Sequence, residues 1–112
     1  MATKANLNID QGTDFSTEVN LTYANGTPQD LTGYVGASKV KKHPDASTSY
    51  VLEVDIDALN GKITISANNT VTSSIPWGRY RYDVELTNNN TSPPTISRIM
   101  EGIFTVNPEI TS

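Results

Sequence analysis

One histidine and no cysteine leave this 112-residue chain few groups able to relay a proton or attack a substrate at neutral pH. A hydrolase or transferase needs an activated nucleophile or an acid-base pair. His43 stands in the polar run Lys42-His43-Pro44-Asp45-Ala46-Ser47, where the spacing gives no carboxylate to orient its ring. The expectation is a solvated loop histidine, no catalytic residue and no enzyme.

The stretch Glu53-Val54-Asp55-Ile56-Asp57-Ala58-Leu59-Asn60-Gly61 sets three carboxylates on one side of an extended chain ahead of an Asn-Gly turn. Calcium takes oxygen ligands of this kind, at alternate positions of a loop closed by a bidentate glutamate at the twelfth. Counted from Asp55, Ala58 and Leu59 interrupt the run and the twelfth position is Ser66. The carboxylates are expected to be a wet strand face, with no metal and no cofactor.

Positive charge gathers twice, at Lys39, Lys41 and Lys42 beside His43, and at Arg79 and Arg81. Such charges either blunt exposed edges against unwanted pairing or form the rim of a contact with an acidic partner. Trp77, the single tryptophan, is expected to cap the core, with an interface anchor or a sugar platform as the alternatives. Lys39, Lys41, His43, Trp77, Arg79 and Arg81 together make the candidate interface. The Asn-x-Thr triplets at Asn20, Asn25 and Asn68 carry no weight in a chain so rich in Asn and Thr, where residues 1–6 lack the apolar run expected of a secretory leader.

The elements that must position these residues read as strands throughout. In Gly78-Arg79-Tyr80-Arg81-Tyr82-Asp83-Val84-Glu85-Leu86, the tyrosines, Val84 and Leu86 share one face and the charged residues the other. That is the period of an antiparallel strand packed on one side. Leu7 and Ile9 alternate with Asn6, Asn8 and Asp10 behind an arm of residues 1–4. Residues 15–23 place Phe15, Val19, Leu21 and Tyr23 on one face, and Asn25-Gly26 with Pro28 then turns the chain. Asp30-Leu31-Thr32-Gly33-Tyr34 forms a corner into a strand over residues 35–41, whose register the pattern leaves open. Tyr50, Leu52, Val54 and Ile56 align in a fourth strand, and Asn60-Gly61 turns into a fifth at residues 62–67. Residues 68–74 have the Thr and Ser content of a single helical turn. Residues 88–94 must loop, because Pro93-Pro94 cannot pair in a ladder. In the last strand, residues 96–106, Met100, Phe104 and Val106 have one parity and Ile99 and Ile103 the other, which a bulge at Gly102 would reconcile.

About seven strands with a turn signal every ~8 to 12 residues indicate an all-β fold, an immunoglobulin-like β-sandwich. Residues 1–112 then form one domain, with a flexible N-terminal arm at 1–4 and a C-terminal tail at 107–112. The formal charge of -4 argues against broad phosphate-backbone binding, and no apolar run reaches the ~20 residues of a membrane helix, so neither nucleic acid nor membrane is an expected partner.

Four ordered landmarks run through nearly the whole chain. They are Lys4-Ala5-Asn6-Leu7-Asn8-Ile9-Asp10-Gln11-Gly12-Thr13-Asp14-Phe15, the corner Asp30-Leu31-Thr32-Gly33-Tyr34, the stretch Gly78-Arg79-Tyr80-Arg81-Tyr82-Asp83-Val84, and Arg98-Ile99-Met100-Glu101-Gly102-Ile103-Phe104-Thr105-Val106-Asn107-Pro108-Glu109-Ile110-Thr111. In these the chain resembles small virion proteins of tailed bacteriophages, especially contractile-tailed phages of cyanobacteria. The resemblance implies a non-catalytic structural protein, made in the host cytoplasm and residing in the virion. It would contact other virion proteins in multiple symmetric copies at the tail, baseplate, fibre attachment or capsid surface. The landmarks also have physical jobs: Tyr80 is placed like the corner tyrosine that ties a sandwich connection to backbone, and Pro108 is expected to end the last strand. The alternative is a carbohydrate-binding or adhesion module that contacts host surface glycans, which would use exposed aromatics such as Trp77.

Overall fold

Alternating apolar residues become strands wherever the alternation is unbroken. In a computed structural model, which describes residues 3–43 and 45–108, the order is β1 (Thr3–Lys4), β2 (Leu7–Asp10), β3 (Phe15–Asn20), β4 (Tyr34–Lys41), β5 (Ser49–Asp57), β6 (Lys62–Ala67), β7 (Gly78–Asn88) and β8 (Thr95–Asn107). A 3-10 turn (Ala58–Asn60) joins β5 to β6. A short helix α1 (Asn69–Ser74) precedes β7, its first turn capped by the Asn68 side chain, which accepts the Val71 N–H at 3.0 Å. The protein is all-β, and no described helix is long and apolar enough to cross a membrane.

The strands form one curled sheet in the order β1-β8-β7-β4-β5-β6-β3, with β2 also on β8. β1 and β2 run parallel to β8, while the other pairings are antiparallel. β5 divides its partners: residues 49–52 pair with β4 and residues 53–57 with β6. The sheet changes direction there and brings β3 over β8, where the Phe15 and Phe104 rings meet edge to face at 5.8 Å.

The inward rows of β2 to β8 feed one core. Val40, Leu52, Ile63, Ile65, Val84 and Phe104 are almost fully buried, each side chain contributing about 1.5 to 3 kcal/mol relative to exposure. Among the described residues, two polar side chains, Ser38 and Thr72, share this interior and both are satisfied. Ser38 Oγ donates to the Asp83 carbonyl at 2.7 Å, and Thr72 Oγ1 donates to the Thr13 carbonyl at 2.7 Å while accepting the Gly12 N–H. At the tyrosine strand, Tyr80 Oη donates to the Pro76 carbonyl four residues upstream at 2.6 Å, the tie expected of a corner tyrosine. At the other corner, Asp30 Oδ1 accepts from both the Thr32 amide and hydroxyl, and Gly33 turns at φ +86°. A side chain at Gly33 would strike Asn90, whose amide donates to the Thr32 carbonyl at 2.7 Å.

Several expectations need correction. Thr3 and Lys4 are not a free arm but pair with Met100 and Glu101 of β8, while residues 1 and 2 lie outside the described part. The second strand stops at Asn20 rather than Tyr23. The Leu21 amide turns to the Gly61 carbonyl, and Tyr23 enters the tight turn around Gly26, 52% exposed. The bulge in β8 falls at Ile99, between the Val84–Met100 and Glu85–Arg98 pairs, and not at Gly102. Gly102 serves a different need, because a Cβ there would collide with the Ala5 carbonyl as the β1–β2 segment crosses β8. Of the C-terminal tail at 107–112, Asn107 closes β8 and Pro108 follows it; residues 109–112 lie outside the described part.

Candidate functional site

β7 carries its charges on the face turned away from the core, and strand register decides which charges become neighbours. Lys41 lies directly opposite Arg81, Lys39 opposite Asp83, and Asp83 opposite Glu101, whose parallel neighbour is Lys4. The bulge at Ile99 brings Arg98 opposite Glu85 on the same outer face. Arg98 reaches Asp83 Oδ2 at 3.3 Å and Glu101 Oε1 at 3.8 Å, so one cation gathers two carboxylates. Among the described residues, Lys39, Lys41, Arg79 and Arg81 form no ion pair.

These side chains border a shallow depression of about 500 Å³ on the β1-β8-β7-β4 face, with Lys39, Lys41 and Arg81 on one side and Asp83, Arg98 and Glu101 toward the other. Its floor is stiffened from beneath. Tyr82 points inward and its Oη donates to the Ala5 carbonyl at 2.6 Å, fastening the segment between β1 and β2; burial pushes this phenol up to about 12. The Lys41–Arg81 pair sets like charges face to face across an antiparallel ladder, an arrangement that costs a sheet on the order of 0.2 to 1 kcal/mol. Three unpaired cations beside an open depression can recognise carboxylates of a partner chain.

The six candidates divide by position. Lys39, Lys41, Arg79 and Arg81 share the outer face, although Arg79 lies two residues from Arg81 toward the start of β7, opposite Thr105, and outside the depression. His43 is elsewhere, in a second depression lined by the loop after β4 and the rings of Tyr50 and Tyr80. There Lys42 Nζ stands 4.8 Å from the Tyr80 ring centre, and burial, with Tyr50 nearby, raises the Tyr80 phenol. Trp77 does not cap the core; it is 66% exposed at the mouth of β7, because Ile75, fully buried two residues earlier, fills that place. Sequence reasoning missed Lys4, Arg98 and Glu101, which reach the site only through β8. No local spacing connects Lys4 to Glu101.

The carboxylates considered for calcium run along the exposed side of β5. Asp57 Oδ2 there accepts the Asn60 amide at 2.9 Å, and among the described residues no three His, Asp or Glu side chains converge on a point. Across the sheet Glu53 faces Ser66, Asp55 faces Thr64 and Asp57 faces Lys62 of β6, with Glu18 of β3 beyond Thr64. This face therefore carries Glu18, Glu53, Asp55 and Asp57 against one cation, Lys62, 4.0 Å from Glu18. No protein-family model matches this chain, and no curated protein matches it in sequence.

Proposed function

We propose that this protein is a non-catalytic structural component of a tailed-phage virion, an immunoglobulin-like module that works by contact with other virion proteins. The observation that carries the reading is the broad, charged outer face of β1-β8-β7-β4, whose Lys39, Lys41 and Arg81 form no ion pair among the described residues. A shallow polar surface suits a protein partner, whereas small-molecule sites are deep and mostly apolar. The four sequence landmarks support the virion assignment. The Tyr80 corner, the parallel β2–β8 pairing and the passage of β5 from one group of strands to the other support the immunoglobulin-like one.

In this reading the protein is made in the host cytoplasm and resides in the particle, at the tail, baseplate, fibre attachment or capsid surface. It needs no cofactor and uses neither nucleic acid nor membrane as a partner. Quantitative mass spectrometry of purified virions tests it. A fixed copy number per major capsid protein is the expected result, and absence from the particle would defeat the reading.

The exposure of Trp77 favours a second reading, a glycan-binding module. A stacking groove needs adjacent aromatics, and Tyr23, the other widely exposed ring, belongs to the opposite end of the sheet. The length of β7, roughly 30 Å at ~3.3 Å per residue, separates the two ends. Screening the protein against bacterial surface glycans is expected to give no binding that Trp77→Ala abolishes.

A further inference from the structure

We infer that copies of this chain bind one another head to tail, the basic outer face of β1-β8-β7-β4 in one copy resting on the acidic outer face of β5-β6-β3 in the next. The two faces point away from a shared core, since β3 and β8 meet across it through Phe15 and Phe104. Their charges are opposite. Of the eight Lys and Arg in the chain, Lys4, Lys39, Lys41, Arg79, Arg81 and Arg98 stand on the first face, with three carboxylates, Asp83, Glu85 and Glu101. The second face carries Glu18, Glu53, Asp55 and Asp57 with Lys62 alone.

On the first face Arg98 already holds Asp83 and Glu101, and among the described residues Lys39, Lys41 and Arg81 form no ion pair. The acidic face has the reverse excess: Lys62 is engaged with Glu18, and among the described residues Glu53 and Asp55 form no ion pair. Each face thus supplies what the other lacks. Two different surfaces in contact make a heterologous interface, which closes into a ring or runs on as a stack according to the rotation between copies. The contact is a property of the purified chain. Its failure would leave the virion reading standing, and absence from virions would leave the contact standing.

Sedimentation velocity of the purified full chain tests it. At an ionic strength of about 0.02 M the protein is expected to associate with rising concentration, and at about 0.5 M to return to monomer as screening shortens the reach of charge. Lys41→Glu with Arg81→Glu, and separately Glu53→Lys with Asp55→Lys, are each expected to weaken association at least about tenfold. The first variant still opposes like charges across the ladder, so its melting temperature serves as a check that the fold is intact. Mixing the two variants is expected to restore dimers, because the intact acidic face of the first meets the intact basic face of the second. A wild-type chain that stays monomeric at low salt up to about 1 mM, variants that associate as wild type does, or a mixture that fails to recover dimers would each overturn the inference.

Discussion

The two faces of β7 have the same periodicity and opposite determinants. On the inner face, Tyr80, Tyr82, Val84 and Leu86 are buried, and their contribution depends on apolar area and on two phenol hydrogen bonds. On the outer face, Arg79, Arg81, Asp83 and Glu85 gain their meaning from whichever strands lie alongside, since register chooses which charge meets which. Hydrophobic burial is non-directional and tolerates ignorance of the neighbour, whereas charge recognition does not. The inner face should therefore dominate stability and the outer face should dominate contact.

The largest expected effect is at the inner face's partner on β8. Phe104→Ala removes a fully buried ring that touches both Phe15 and Tyr82 and should cost about 3 to 5 kcal/mol in urea unfolding. A loss below about 1 kcal/mol would break the assignment of the core. Gly102→Ala should cost about 1 to 3 kcal/mol, because its Cβ forces the Ala5 backbone off β8. Faster amide exchange at Ala5, which donates to the Glu101 carbonyl, would report that displacement.

Smaller effects sharpen the contrast. Tyr82→Phe removes the hydroxyl that holds Ala5 and should cost about 0.5 to 1.5 kcal/mol near neutral pH. The folded phenol ionises at about 12, above its unfolded value of 10.0. Its contribution is thus complete below pH 10 and is lost as pH rises through 12, where the unfolded chain releases the proton first. The fall in melting temperature across that window should be shallower in Tyr82→Phe. Arg98→Ala, which breaks two half-exposed ion pairs, should change stability by less than about 1 kcal/mol. A larger loss would mean that the outer face shares in stability and would erase the contrast.

Legibility in the sequence follows the same division. Strict alternation marked the inward rows of β5, β6 and β7, and those rows are buried as the pattern demands, fully at β6 and β7 and partly along β5. β4 resisted because two of its positions run against the pattern: Ser38 faces inward and is satisfied by the Asp83 carbonyl, while Val35 faces out, 54% exposed. Tyr23 continued the parity of β3, yet the chain had already turned away at Leu21 to meet Gly61. Gly102 was legible as a special position, but the reason, a passing Ala5 carbonyl, depends on a segment at the far end of the chain. The basic residues of β4 and β7 were visible as two clusters, and only the pairing of Lys41 with Arg81 joins them into one surface. Trp77 was misplaced because Ile75, two residues earlier, occupies the core position that a tryptophan at a strand mouth was expected to take.

On the virion assignment proposed above, the most direct test is lysine labelling of the free monomer and of purified virions, read residue by residue by mass spectrometry. The outer face of β4 and β7 as a contact surface predicts that Lys39 and Lys41 label readily in the free chain and are strongly protected in the particle. Equal labelling of both lysines in the two states would contradict it.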